Sequence, residues 1–538
     1  MKKIKFLLPL FAITFFSCDN YLDINKDPNN LAFDQVTPQK LLPAAQVGAY
    51  RVQATTMNQL GNVFMNSWTR NVQSYGNGFD RELQLNIDNA FYNGIWDGLY
   101  VELKNFDAIA KFSNANGEYD NFVAAALVCK ANYMGYIVDL YGDCPYSDAF
   151  KGIENTTPAY DNDEDIYKAL IAELEEAKDL IINASPDAID MSPYDVMLAG
   201  DMTRWYEYAN TIELRLLLRM SNVSGALATY RDDKLADISG GPFLTEGVSI
   251  NPGYSDATDA NANPLWNTFV RDVANNKRGN ALFITASGHA YKAMNSYANT
   301  NYPAAGSQEI IAGSGVNYPN VADGRFNRLF SAGVGQPARR AVNQGNTTVD
   351  VSTPTAPMPG LPSVIGNFAF TPYVNAIGSF NDFQYQDAYV MPYSQVCFML
   401  AEAAVRYPSL FADAQGYFDL GVTDDFAYKI LNMGSYLSTI NTKPNFGFTA
   451  STTADEQLHA IMYQKWIALM SNHGIESYID YTRTGYPLTP LSTTATKTRK
   501  PYRLIYPVSE YVANTGNVPV VTQNDVFVIN SFSPFWLQ

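Results

Sequence analysis

The sequence predicts a mainly α-helical protein whose helices recur as helix–turn–helix pairs and are interrupted by one loop-rich insert. In several segments apolar residues recur every three or four positions, as expected for helices with one buried face. These segments repeat with a period of roughly 40 residues, longer than the 34 residues of a common two-helix repeat, so the period alone is a weak signal. The pattern fails over 239–384, where Asn, Gly, Pro, Ser and Thr dominate.

Residues 1–17 have the composition of a secretory signal that ends at a cysteine. Three lysines within the first five residues precede an apolar run over 6–16, which is too short to span a bilayer. Cys18 follows at once, which predicts a lipoprotein anchored through lipid on this residue. Phe15 and Phe16 stand where such signals usually carry Leu and a small residue. A plain secretory signal with an incidental cysteine is therefore the alternative.

Residues 18–37 are predicted to form an acidic tether. Asp, Asn and Pro occur there at a density typical of successive turns rather than of a packed element. The rest of the chain, 38–538, is expected to form one domain.

The first helical block is predicted over about 38–238. Asp201 is positioned to cap the helix that follows it, and the acidic residues over 161–165 would meet the positive end of another helix dipole. Helices are expected at 90–112, 120–140, 163–183 and 201–221, and the pattern is clearest at 163–183.

The insert over about 239–384 separates this block from a second helical block over about 385–485. Helices are expected there at 388–406 and 455–471. Loops held on a rigid scaffold commonly carry binding residues, so the insert is a candidate for the ligand surface.

Charge and composition exclude some partners. The net charge is −17 and no basic stripe is present, so nucleic acid is not expected as a partner, and the membrane contact would rest on the lipid alone. Aromatic residues make up 13% of the chain, which suits interfaces and flat polar ligands. Most of them must belong to a core, and Trp96, Trp205 and Trp466 are predicted there because they lie on helical segments.

Catalytic and cofactor motifs are missing from the sequence. The three histidines lie far apart, and no zinc-protease helix, nucleophile elbow, phosphate loop or dinucleotide fingerprint appears. The carboxylates of 161–165 resemble the start of a calcium loop, but Ile166 and Ala172 stand where that loop needs Gly and Glu. Cys129, Cys144 and Cys397 allow at most one disulfide. We therefore expect no catalytic residue, no metal and no cofactor.

Several blocks of the sequence, taken in order, resemble one family. They are YLDINKDPN at 21–29, IVDLYGDCPY at 137–146, residues 167–180, AGDMTRW at 199–205, ANTIELRL at 209–216, YSQVCFMLAEAA at 393–404, QKWIAL at 464–469, DYTRTGYP at 480–487, and YPVSE at 506–510 with Asn514. Behind a lipoprotein signal, this order resembles the SusD/RagB-like nutrient-binding outer-membrane lipoproteins of Bacteroidetes, most closely SusD-like subgroup 2.

The resemblance implies a fold, a location and a partner. The fold would consist of tetratricopeptide-like helix pairs with an irregular, loop-rich insert that carries the ligand surface. The protein would be a non-catalytic, lipid-anchored receptor in the outer membrane, exposed at the cell surface. It would bind oligosaccharide or oligopeptide nutrients and act as lid for a SusC-like, TonB-dependent barrel. Glycan and peptide remain open alternatives.

The ligand residues of this family do not follow a fixed motif, so candidates are chosen by their chemistry. Aromatic faces next to amides and arginines suit sugar rings, and they suit a peptide backbone equally well. The candidates in a Gly/Asn-rich stretch are Trp68, Arg70, Tyr75 and Phe79, and those in the insert are Trp266, Asn267, Arg271 and Tyr291. Arg204, Arg215 and Arg483, in contrast, are expected to form ion pairs between helices.

Two other functions would leave different traces. A surface hydrolase of glycans or peptides would need a close carboxylate pair or a metal site in a cleft. A helical-repeat adhesin or scaffold would present a protein-binding face without a small-ligand pocket.

Overall fold

The computed structural model describes residues 36–72, 78–296, 318–331, 341–346, 364–365 and 386–538. The predicted signal, the lipidation candidate Cys18, most of the tether and the ligand candidate Tyr75 lie outside the described residues.

The described residues are mainly helical, which confirms the predicted fold class. The α-helices, numbered α1–α18 in chain order, are Pro38–Val52, Asn58–Phe64, Asp80–Gln84, Gly94–Ala110, Asp120–Tyr141, Asp163–Ile182, Met202–Arg219, Gly225–Ile238, Pro264–Phe269, Gly279–Phe283, Gly288–Met294, Phe326–Leu329, Tyr393–Arg406, Ala414–Tyr428, Tyr436–Ile440, Ala454–Leu469, Gly474–Thr484 and Val508–Ala513. A π-helical turn, Gln53–Met57, joins α1 to α2. Short 3₁₀ turns lie at Gly152–Glu154, Met220–Asn222, Asp259–Asn261, Asp525–Phe527 and Phe535–Leu537.

Within the described residues the strands are short and lie in two small sheets. They are β1 Trp68–Arg70, β2 Val248–Ile250, β3 Ile284–Ala286, β4 Phe330–Ser331, β5 Val364–Ile365 and β6 Ala388–Met391. One sheet has the order β1-β3-β5-β4, and the other pairs β2 with β6 in antiparallel register. Trp68 lies opposite Ala286 in the first sheet, so the segment before α3 is tied to the insert.

The predicted helices of the first block are present as α4, α5, α6 and α7. Asp201 caps α7 as predicted, accepting hydrogen bonds from the backbone N–H groups of Thr203 and Arg204. At α6 the cap is Asn162, and Asp163, Glu164 and Asp165 fill the first turn, where the helix dipole favours carboxylates.

The helix predicted at 388–406 needs one correction. Residues Ala388–Met391 form strand β6, and helix α13 begins at Tyr393. Pro392 lies between them and restricts the preceding residue to extended backbone, and pairing with β2 fixes that conformation. The apolar residues of this segment therefore follow two periods, first that of a strand and then that of a helix.

Helix α5 lies at the centre of the first block. Every residue except Asn121 is buried, beneath α4, α6 and α7. By length and composition this is the one described helix that could cross a membrane, but its burial inside the protein is typical of a core helix. Its small residues, such as Ala124, Ala125 and Ala126, allow neighbouring helices to approach closely.

A buried charge cluster joins the two helical blocks. Glu476 on α17 accepts from Arg215 at 3.3 Å and from Arg219 at 2.6 Å, and both arginines lie on α7. Arg483 pairs with Glu402 on α13 at 2.5 Å. The predicted ion pairs between helices are therefore confirmed for Arg215 and Arg483, whereas Arg204 pairs at 3.1 Å with Glu246, which lies in a loop.

A second buried cluster fastens the insert to the second block. Arg325 pairs with Asp323 at 2.7 Å and with Asp425 on α14 at 2.8 Å. It also donates to Gln464 on α16 at 2.8 Å. A fully buried guanidinium needs partners on all sides, and these contacts supply them.

The remaining core predictions are also confirmed. Trp96, Trp205 and Trp466 are all buried, with at most 3% of each residue exposed. Cys129, Cys144 and Cys397 are buried as free thiols, and burial is the main cause that raises their pKa values. Such thiols act as small apolar core residues.

Candidate ligand-binding groove

A groove of about 340 Å³ lies between the helical arm α1–α2 and helix α9. Its lining is mostly polar and includes two charged side chains, Arg51 and Asp259, two aromatic rings and one proline. The lining residues are Arg51, Thr55, Thr56, Gln59, Tyr92, Asp259, Ala262, Pro264, Asn267, Thr268 and Phe269. We refer to this feature as the groove.

The π-helical turn Gln53–Met57 shapes one wall. The backbone N–H of Asn58 reaches back to the carbonyl of Gln53, five residues earlier, so this turn holds one residue more than an α-turn. Thr55 and Thr56, neighbours in sequence, both line the groove there. Buried Gln53 anchors the turn, donating to the carbonyl of Val390 at 2.8 Å. Single π-turns within helices frequently occur at functional sites.

Helix α9 forms the opposite wall. The side chain of Asn263 caps it, accepting from the N–H of Leu265 at 3.0 Å, and donates to the carbonyl of Gln386 at 3.0 Å. Phe269 lines the groove at the far end of the helix, and the ring of Trp68 packs against it edge-on with centroids 5.1 Å apart. The wall is therefore held rigidly from behind.

A hydrogen-bond chain leads from a half-buried carboxylate to the groove. Tyr92 donates to Oε1 of Glu82 at 2.7 Å and accepts from Nε2 of Gln59 at 2.8 Å. Burial, followed by the charge of Glu82, raises the pKa of Tyr92 well above its usual value, so its hydroxyl keeps its proton. Burial also raises the pKa of Glu82.

A second chain holds Asn267 on the opposite wall. Arg278 donates through Nη2 to Oδ1 of Asn267 and through Nε to its backbone carbonyl at 2.6 Å. Asp259 pairs with the same Nη2 at 2.6 Å. This hydrogen bond with Arg278 is the main cause that lowers the pKa of Asp259, so its carboxylate is ionised and already paired with Arg278.

This arrangement suits hydrogen bonding to a polar, uncharged ligand. Hydroxyl and amide groups face a space bounded by Tyr92 and Phe269. Among the described lining residues Asp259 is the one carboxylate, and it is engaged with Arg278. In the described parts of the chain, no group of three His, Cys, Asp or Glu side chains is placed to hold a metal ion.

Of the four candidates in the Gly/Asn-rich stretch, the structure describes three. Trp68 is 1% exposed and donates through Nε1 to Oγ of Ser471 at 2.7 Å, so it supports the groove from behind Phe269. Arg70 pairs with Asp80 at 2.8 Å. Phe79 is buried against the ring of Phe283, with centroids 5.2 Å apart.

Of the four candidates in the insert, Asn267 lines the groove. Trp266, its neighbour on α9, is buried. Arg271 donates to the carbonyl of Asn275 at 2.6 Å within its own turn. Tyr291 packs edge-on against Phe326, with centroids 5.4 Å apart. A ligand contact for any of the candidates stays a prediction.

The sequence reasoning missed the residues of the α1–α2 arm. Arg51, Thr55, Thr56 and Gln59 lie within a helical pattern, which usually indicates core or plain surface. One signal was available: two consecutive β-branched threonines are unfavourable inside an α-helix, and here they occupy the π-turn. Tyr92 was also missed. The structure places it in the turn before α4, where its backbone is left-handed with φ of 52°.

Comparison with known families identifies the fold. Residues 28–281 and 360–507 match the family model SusD-like_2, described as "Starch-binding associating with outer membrane". The chain belongs to this SusD-like family. The resemblance seen in the sequence blocks is thereby confirmed. A comparison with curated proteins finds no match.

Solved structures share the SusD-like fold. A chitin-binding SusD homolog from Flavobacterium johnsoniae superposes with a TM-score of 0.64 at 22% identity, covering 89% of this chain and 92% of that one. A SusD homolog from Parabacteroides distasonis gives 0.67 at 17% identity, with 90% and 94% covered. One from Bacteroides uniformis gives 0.63 at 19% identity, with 93% and 99% covered. At these identities the likeness concerns the fold alone.

Proposed function

We propose that this SusD-like protein is a non-catalytic receptor that captures oligosaccharides at the groove. The observation that carries the proposal is the lining itself: hydroxyl and amide groups beside aromatic rings, on two walls held by buried contacts. Ligand sites commonly have volumes of about 300–1,000 Å³ with a few well-placed polar groups, and the groove lies within that range.

Sugar chemistry matches this lining better than charged ligands do. Sugar hydroxyls both donate and accept hydrogen bonds, as Thr55, Thr56 and Gln59 require, and the apolar face of a sugar ring suits an aromatic side chain such as Tyr92. The description of the family as starch-binding and the chitin-binding homolog from Flavobacterium johnsoniae support a carbohydrate. Among the predicted candidates we retain Asn267 as a ligand contact.

We further propose that the protein is anchored in the outer membrane through lipid on Cys18 and acts as the lid of a TonB-dependent barrel. Its own affinity need not be high. A site with a dissociation constant of 1 mM supplies about −4.1 kcal/mol, and tethering to the barrel raises the effective concentration for transfer.

Two exposed valines near the end of the chain are candidate contacts for a protein partner. Val512 and Val520 are 77% and 75% exposed. Val520 also lines a second cavity of about 280 Å³ together with Ile87 and Ile505. We expect the partner to contact these valines beside the second cavity.

Purification of the native lipidated protein from detergent-solubilised outer membranes tests both the partner and the ligand class. We expect a TonB-dependent barrel in stoichiometric amount, together with co-purifying sugar, as measured by mass spectrometry. The matched control is Cys18→Ser, which we expect to leave the membrane fraction because the lipid is absent. A lipidated monomer without a barrel contradicts the lid, and co-purifying peptide in place of sugar favours the peptide alternative.

A further inference from the structure

We propose that Glu82 and Arg278 fix which hydrogen-bonding atoms the groove presents to a ligand, so that the groove selects sugars carrying acetamido groups. They act through Gln59 and Asn267, whose amides they hold in one orientation. This inference rests on the proposed function and names the ligand class that the groove prefers.

The first orientation follows from Glu82. The hydroxyl of Tyr92 donates its proton to Oε1 of Glu82 at 2.7 Å. The oxygen of Tyr92 is then left as an acceptor, and the –NH₂ end of Gln59 donates to it at 2.8 Å. The amide of Gln59 cannot flip without losing this bond. Its Oε1 has no hydrogen-bond partner within the described chain.

The second orientation follows from Arg278. A guanidinium only donates, so the group of Asn267 that meets it must be the carbonyl oxygen Oδ1. Asp259 pairs with the same Nη2 atom of Arg278 at 2.6 Å. The –NH₂ end of Asn267 is therefore the free end, and Nδ2 makes no hydrogen bond to any residue that the structure describes.

The groove therefore offers a fixed acceptor on one wall and a fixed donor on the other. A sugar hydroxyl can rotate to bond either group, so the fixed orientation of the two amides does not favour hydroxyl groups. A secondary amide has one N–H and one C=O that cannot exchange roles. An acetamido group can donate to Oε1 of Gln59 and accept from Nδ2 of Asn267, and a site built for such bonds rejects analogues that lack the groups.

Calorimetric titration of the mature protein with two matched tetramers tests the inference. One is the β-1,4-linked tetramer of N-acetylglucosamine and the other that of glucose, which differ in the acetamido group. We expect the acetamido tetramer to bind at least about tenfold more tightly. A tetra-alanine peptide serves as the third ligand. It carries the same secondary amides, and we expect it to bind more weakly because it has no apolar sugar-ring face to pack against Tyr92.

The variant Glu82→Gln tests whether Glu82 orients the amide of Gln59 or only stabilises the wall of the groove. Gln at this site can donate to Tyr92, whose hydroxyl can then turn towards Gln59 and allow the amide to flip. We expect the preference for the acetamido tetramer to fall to within about twofold. Glu207→Gln is the matched control, because Glu207 on α7 is also half-buried with a pKa raised chiefly by burial, but it neighbours Arg204 and does not line the groove. We expect it to keep the wild-type preference.

The outcomes separate the two proposals. Equal affinity of the wild-type protein for both tetramers, or an unchanged preference in Glu82→Gln, overturns the inference while oligosaccharide binding stands. If Glu82→Gln does not fold, Tyr92→Phe removes the same relay, and an unchanged preference there is equally contradictory. Tighter binding of tetra-alanine overturns the sugar assignment. Failure of every oligosaccharide to bind overturns the proposed function itself.

Discussion

Glu476→Gln is expected to lower the free energy of unfolding by about 3–5 kcal/mol, the usual cost of breaking a buried ion pair from one side. Glu476 is fully buried on α17. It is the carboxylate that pairs with Arg215 among the described residues, and it also accepts from Arg219 and from the hydroxyl of Tyr136 at 2.7 Å. The side-chain –NH₂ of a glutamine would face N–H and O–H groups that already donate. The buried charge of Arg215 would also be left without an anion.

Denaturant titration with Glu164→Gln as the matched control measures this effect. Glu164 forms an ion pair with Lys168 on the surface of α6, and such pairs contribute between 0 and about 1 kcal/mol. We expect the denaturant concentration at the unfolding midpoint to fall strongly for Glu476→Gln and hardly to change for Glu164→Gln. The slope of the unfolding free energy against denaturant concentration should be similar in both variants. Equal midpoints would contradict the structural role of the buried cluster.

The effect of Glu476→Gln should also depend on pH. Burial alone would raise the pKa of Glu476, but the charges of Arg219 and Arg215 hold it well below its usual value of 4.5. A carboxylate with a lowered pKa stabilises the fold fully above the pKa of the unfolded chain. This stabilisation is lost as the pH falls below about 4.5. The difference between wild type and variant should therefore shrink in acid.

Thr56→Trp is expected to weaken oligosaccharide binding by at least about 100-fold, or about 2.7 kcal/mol. Thr56 is half-buried and lines the groove from the π-turn. An indole at this position would occupy space in a groove of about 340 Å³ that the ligand needs. Titration with the tighter-binding of the two tetramers measures the loss.

The matched control for groove filling is Thr229→Trp. Thr229 is exposed on α8, outside the groove. The same substitution there should leave both the affinity and the unfolding midpoint close to those of the wild-type protein. Wild-type affinity in Thr56→Trp, with the fold intact, would place the ligand elsewhere on the molecule.

The helical scaffold could be predicted from the sequence because its signals are local. The apolar spacing of α4 to α7 and the cap at Asp201 depend on residues a few positions apart, and tertiary packing agrees with them. Strand β6 was not recognised because its pairing partner, β2, lies some 140 residues earlier in a segment without a clear pattern.

The groove could not be assembled from the sequence in the same way. It joins three separate segments: the α1–α2 arm, the turn at Tyr92 and helix α9 with the turn before it. Asn267 was found because amides beside aromatic residues stood out within the insert. The same cue also selected Trp68 and Trp266, which the structure places in the core. Aromatic residues near amides do not distinguish a ring that contacts a ligand from one that supports a wall.

The central claim is that the groove binds an oligosaccharide, and a crystal structure of the protein with the tighter-binding tetramer tests it most directly. We predict a sugar residue between Thr56 and Asn267, with an N–H group facing Oε1 of Gln59. A sugar bound elsewhere on the protein, with the groove filled by solvent, would contradict the account.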